Sequence, residues 1–181
     1  MLRGSIVVAA LLVWSIAAHG EGTSTQSVPS ANDVAKALKT VNGAAEYLRT
    51  KHAEYVACED KIRATPEFKP IAGHIPPPGS KPTAAQFADT SLITSDEASA
   101  MAVLAPQYRV CRSITENAEA SLLPAMEQVY KDSEDARAAI VANLIARRLS
   151  WGSYYKAIGK LSEQTKARRA EVRSRISKTA K

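Results

Sequence analysis

Six of the chain's nine prolines fall between residues 65 and 94: Pro66, Pro70, Pro76, Pro77, Pro78 and Pro82. Proline has no backbone N–H and a locked φ, so it breaks helices and is excluded from central strands. No regular element can run through this stretch. Pro76-Pro77-Pro78-Gly79 reads as extended polyproline II, with room for one short helical turn near Ala84 to Asp89. The chain must therefore fold as two segments joined by a long crossover. Phe68, Ile71, Ile75, Phe87, Leu92 and Ile93 are spaced along it and are expected to pin it to the rest of the molecule. Ordered connections of this length are more often functional than short ones.

Both flanking segments carry a helical period. Upstream, Val34, Leu38, Val41, Ala45, Leu48, Tyr55 and Ile62 recur in steps of three and four, interrupted once by His52. That spacing predicts a helix from about Asp33 to about Ala64 that faces a partner along one stripe. Downstream, Thr94 or Ser95 caps a second helix, with Asp96 and Glu97 complementing its dipole. Its stripe is Met101, Leu104, Tyr108, Cys111, Thr115, Ala118 and Leu122, and Pro106 is expected to kink it. Pro124 marks a restart, and a third helix runs to about Leu149 with thin packing over Ser133 to Ala139. Residues 147–155 form a turn in which Ser150 caps a last helix. I- and V-rich alternation of period two is absent, so the fold class is all-α, a bundle of about four helices.

At the other end of the chain, residues 1–20 have the layout of a secretory signal peptide. Arg3 is the positive start, Ile6 to Ala18 is unbroken apolar sequence, and Ala18-His19-Gly20 offers a cleavage site. The run falls short of the about 20 apolar residues that a membrane span needs, so no span is expected after cleavage. Residues 21–31 read as a flexible lead-in, 32–161 as the helical domain, and 162–181 as a basic helical extension. Export to the periplasm, or beyond it by secretion, places the only two cysteines, Cys58 and Cys111, in an oxidising compartment. Both lie on apolar stripes, so a helix-to-helix disulfide is expected.

The net charge of +6 is unevenly spread. Basic residues crowd the stretch from Arg147 onward, where only Glu163 and Glu171 oppose them, so a basic tail follows a mildly acidic body. Lys166, Arg168, Arg169, Arg173, Arg175 and Lys178 are the candidate contacts for an envelope polyanion such as an anionic lipid, lipopolysaccharide or an acidic glycan. Nucleic acid is disfavoured, because no aromatic residue follows Tyr155 to stack on bases. A second candidate surface, for an unknown protein partner, combines Pro76, Pro77 and Pro78 of the crossover with Trp151, Tyr154 and Tyr155 of the turn.

Catalytic and metal patterns are missing. There is no Gly-x-Ser-x-Gly, no His-Glu-x-x-His and no glycine-rich phosphate loop, so no catalytic residue, metal ligand or cofactor is assigned. His52, with Glu59 two turns on, is the one candidate for a pH-sensitive contact.

The two cysteines, the proline-rich crossover and the Arg-x-Leu-Ser-Trp-Gly-x-Tyr turn together resemble small exported helical proteins of Gram-negative bacteria. The residues that carry the likeness are Cys58, Cys111, Leu149, Ser150, Trp151, Gly152 and Tyr154. The resemblance implies an all-helical exported protein and no particular activity. The functional expectation is a non-enzymatic interaction protein. A polyanion binder acting through the tail, or an enzyme with an unfamiliar site, are the alternatives, and the oligomeric state stays open.

Overall fold

The computed structural model describes residues 41–179. The expected signal peptide, the lead-in and the start of the first helix lie outside them. The described chain is all-α: α1 (Val41–Arg63), α2 (Ala84–Ala88), α3 (Ser95–Leu122), α4 (Glu127–Ile145) and α5 (Trp151–Thr179). Two 3₁₀ turns, Pro66–Ile71 and Pro124–Met126, follow α1 and α3. No strand occurs among the described residues; a single antiparallel bridge joins Leu92 to Ser150.

Cys58 of α1 and Cys111 of α3 are disulfide-bonded, with Cα atoms 5.5 Å apart. Arg63, further along α1, comes near Tyr108, which is earlier on α3, so the two helices run antiparallel. The same logic orients the rest. Arg112 meets Glu134 and Glu119 meets Tyr130, which sets α3 antiparallel to α4. Ser133 meets Thr165 and Asp132 meets Arg168, which sets α4 antiparallel to α5. Short connections between α3, α4 and α5 allow only antiparallel neighbours.

Local chemistry explains the helix ends. Thr94 and Glu97 form a reciprocal capping box at the start of α3, and Thr83 with Gln86 does the same for α2. Helix α3 continues through Pro106. Helix α4 stops at Ile145, short of the expected Leu149. Arg147 adopts φ +59°, and the N–H groups of Arg147 and Arg148 return to the carbonyls of Leu144 and Asn143. This is a Schellman ending with arginine where glycine is usual. Ser150 then accepts the Ser153 N–H at 3.2 Å, as expected of a cap for α5.

The core gathers Ile62, Ile71, Ile93, Leu104, Leu144 and Trp151 around the disulfide. Phe68, Ile71 and Ile93 pin the crossover as expected, whereas Leu92 is 46% exposed and contributes only backbone pairing. The thin packing foreseen for Ser133 to Ala139 is also corrected, since Ser133 and Glu134 are buried against neighbouring helices.

The crossover docks on the start of α5. The N–H of Trp151 donates to Ser91 O at 3.0 Å, and that of Gly152 donates to Asp89 O at 2.8 Å. Crossover carbonyls thereby satisfy donors that a helix start cannot satisfy itself. The approach leaves no room for a side chain at Gly152, where a Cβ would sit 2.5 Å from Asp89 O. Above this contact His74 stacks flat on Trp151, ring centroids 4.2 Å apart. Its Nε2 lies 3.0 Å from Glu97 and its Nδ1 3.5 Å from Asp89. One imidazole thus ties the crossover to the N-termini of α3 and α5.

Candidate functional site

Holding the crossover against the bundle at this end lifts its proline stretch over a gap between the helices. Pro76 and Pro77 lie outside any helix, the chain turns at Pro78–Gly79, and Gly79 takes φ +74°. That positive φ is what allows the turn, and glycine reaches it without steric cost. Arg63 fixes the near end: its Nη groups donate to the carbonyls of Ile75 and Pro76. Its guanidinium also sits over the Phe68 ring, 5.0 Å from the centroid. Beneath the prolines lies a groove of about 690 Å³ lined by α1, α3, α4, α5 and the crossover. That is within the range of small-molecule sites, about 300–1,000 Å³.

The groove has two chemically distinct parts. One wall is apolar, made by Pro76, Pro78, Met101, Val141, Ile145 and Ile158. Small residues on α3 (Ala102 and Ala105) widen it, and Pro106 lies beside them. Arg63, bound to the Ile75 and Pro76 carbonyls, stays beside the prolines, while Arg109, Arg112 and Arg137 line the groove with Glu59, Glu134 and three tyrosines.

The arginine end is held by ion pairs. Arg112 grips Glu134 with two nitrogens, at 2.7 and 2.8 Å. Arg137 lies 3.3 Å from the same carboxylate through Nε. Burial pushes the Glu134 carboxyl up, but the Arg112 guanidinium outweighs it and holds the group below the usual carboxylate range. Burial raises the Tyr108 phenol to about 12 and also raises those of Tyr55 and Tyr154. The tyrosines are therefore neutral hydrogen-bonding groups.

A second, polar cavity of about 420 Å³ shares Tyr55, Arg112 and Arg137 with the groove. It is lined further by His52, Glu116, Glu119, Tyr130 and Arg169. Glu116 is the one carboxyl among the described residues pushed to about 7, first by burial and then by Glu134, against the pull of Arg112, Arg137 and Arg109.

The candidates from the sequence scatter. Pro76 and Pro78 wall the groove with Pro77, and Tyr154 reaches it from below. Trp151 and Tyr155 are buried in the core, so they pack the bundle end and offer no surface to a partner. His52 is exposed on one side of Tyr55, at the mouth of the polar cavity, while Glu59 is buried on the other side, in the groove. The histidine with carboxylate partners is His74 instead. Those partners come from two other elements, and no spacing in the sequence announces them.

The tail is not free-standing. Arg169 and Arg173 both pair with buried Glu119, and Tyr130 donates to the same carboxylate. Burial raises Glu119, but these three partners outweigh it and hold the group below its ordinary range. Arg168 pairs with Asp132 and Arg175 with Glu171. Four of the six candidate polyanion contacts are thus committed within the chain, leaving Lys166, on the rim of the polar cavity, and Lys178.

Among the described residues no cluster of histidine, cysteine and carboxylate side chains could hold a metal ion. No helix among them is long and apolar enough to cross a membrane. No family model, curated protein or solved structure matches the chain.

Proposed function

We propose that this is an exported, non-enzymatic binding protein whose ligand site is the groove beneath Pro76–Pro78. The observation that carries the reading is the groove itself. A disulfide-stapled bundle holds a proline-rich segment away from its own core and leaves an apolar wall facing an arginine-lined end. Proline supports such a roof well, since its backbone loses little entropy on ordering and exposes no N–H. The fittings suit holding a ligand and not moving a proton. Glu134 is ion-paired, and the phenols stay protonated at neutral pH. Export is supported by the apolar leader with its small-residue cleavage site and by the Cys58–Cys111 bond.

The test is occupancy. Ala102 lines the groove and its side chain is exposed, so Ala102→Trp should fill the groove and leave the fold intact. An apolar fluorescent probe, phenylnaphthylamine, is expected to bind the natural protein at one site and to lose that site in the variant. Equal binding by both proteins would reject the groove. N-terminal sequencing of the protein from cell fractions tests export, with a mature start expected near Glu21.

The polyanion reading ranks second. Most tail cations are exposed, with the Arg173 side chain at 54%, but most already hold carboxylates of this chain. A catalytic reading would rest on Glu116, poised at about 7. No nucleophilic hydroxyl is hydrogen-bonded to it among the described residues, so binding is the better account.

A further inference from the structure

Resting on that reading, the chemistry of the groove's polar end specifies a class of ligand. Arg63, Arg109, Arg112 and Arg137 face two lining carboxylates, Glu59 and Glu134. Glu134 has to serve two guanidiniums. Both its oxygens are taken by Arg112, and Arg137 approaches one of them at 3.3 Å without the alignment of a hydrogen bond. That is the only ion pair Arg137 makes among the described residues. Glu116 faces the same guanidiniums from the polar cavity, where burial and Glu134 push its carboxyl up. The groove's own lining thus carries more guanidiniums than carboxylates.

It is also short of acceptors. Arg137 Nε and the Tyr108 hydroxyl are buried donors with no hydrogen-bond partner, and Arg63 Nε, beside the prolines, is a third. Burial and the neighbouring Arg112 push the Arg137 guanidinium down by more than Glu134 lifts it. Native structures leave few buried donors without an acceptor, and donors grouped along one groove suit an acceptor brought by a ligand. Arginine is the side chain best matched to the paired oxygens of a carboxylate, sulfonate or phosphate. The remainder of the groove wants apolar surface, and its volume of about 690 Å³ admits one small molecule.

We propose that the groove binds a small, soluble amphipathic organic anion, with its acidic head at the Arg137 end and its apolar body under Pro76–Pro78. The head supplies the charge that Glu134 cannot provide to both arginines. The body covers Met101, Val141 and Ile158 and is covered in turn by the crossover.

Two probes with the same apolar body separate this inference from the binding reading beneath it: anilinonaphthalene sulfonate and uncharged phenylnaphthylamine. Fluorescence titrations would compare them on the purified natural protein, Arg137→Gln and Ala102→Trp, with a circular-dichroism melt of each. The sulfonate should bind at one site at least about tenfold tighter than the neutral probe, a modest return for one charge-assisted contact. Arg137→Gln should erase that preference while leaving the neutral probe bound. Ala102→Trp should remove both. If Arg137→Gln proves unfolded, a salt series on the natural protein carries the same test, with sulfonate affinity falling as salt rises and neutral-probe affinity unchanged.

Equal affinity for the two probes, indifferent to salt and to Arg137→Gln, would overturn the anion inference and leave the groove a binding site. Binding of either probe that survives Ala102→Trp, or no binding by either, would overturn the groove reading as well.

Discussion

Glycine-to-alanine substitution at two positions of one helix is expected to have opposite effects. Gly152 and Gly159 both lie in α5, and helix propensity alone favours alanine at each by at most about 1 kcal/mol. At Gly159 nothing lies within 4 Å of an added Cβ, so propensity decides, and Gly159→Ala should stabilise. At Gly152 the added carbon would lie 2.5 Å from Asp89 O, 2.6 Å from Phe87 O and 3.1 Å from Asp89 N. All three are backbone atoms and cannot swing aside as a side-chain end would. Ordinary contact needs the crossover to retreat by about 1 Å, since non-bonded atoms settle at roughly 3.5 Å.

That retreat breaks the hydrogen bonds from Gly152 N–H to Asp89 and from Trp151 N–H to Ser91. At about 1 kcal/mol for each bond, plus about 1–3 kcal/mol for overpacking, less the propensity gain, the net loss is about 2–4 kcal/mol. For a chain of this size that lowers Tm by roughly 10 °C, while Gly159→Ala raises it by about 2 °C. Thermal melts followed by circular dichroism at 222 nm, a wavelength sensitive to helix (about 222 nm for any α-rich protein), would read both. A Gly152→Ala variant that melts at or above the natural protein would refute the docking of the crossover on α5.

Three further outcomes follow from the structure. Glu116 is raised to about 7 in the fold, so the folded chain retains a proton that the unfolded chain has lost between about pH 4.5 and 7. Its contribution is intact below that window and is lost as pH rises through about 7. Glu116→Gln should therefore match the natural protein at pH 5 and melt higher at about pH 8, and a lower melt at about pH 8 would show that the carboxylate is favoured by its arginines. Replacing both cysteines, Cys58→Ser with Cys111→Ser, should destabilise by about 4 kcal/mol, because the bridge spans 53 residues and restrains the unfolded chain; urea midpoints would measure it, and an unchanged midpoint would contradict the staple. Arg147→Gly should raise stability by about 1 kcal/mol, since glycine takes the φ of +59° without strain; a loss on urea titration would mean that the arginine side chain outweighs its backbone.

The helices and their caps were legible because each depends on residues within a turn or two. The step of three and four that placed Cys58 and Cys111 on inward stripes is the reason a disulfide between α1 and α3 could be foreseen. Thr94 and Glu97 stand three apart, the spacing a capping box requires. The prolines confined the crossover to its place, because φ restriction acts on the residue that carries it. The end of α4 was misplaced, since an arginine can enter the left-handed region only when surrounding contacts favour it.

The candidate site was legible only as an interest in Pro76–Pro78. Its arginine end unites residues from α1, α3 and α4, and Glu134 meets Arg112 across 22 positions of sequence. The tail read as a protruding charge block because its carboxylate partner Glu119 lies 50 residues before Arg169. Trp151 stands among the candidate surface residues because an aromatic residue at a turn suits surface as well as core, and the docking of the crossover buries it. By itself the sequence determined which segments are helical, where the crossover interrupts them and which sulfurs face inward, because backbone preference and hydrophobic period are local. Only the tertiary structure decided which charges are neutralised, which ring is covered and where the bundle stays open, because those depend on distances between segments that no local pattern encodes.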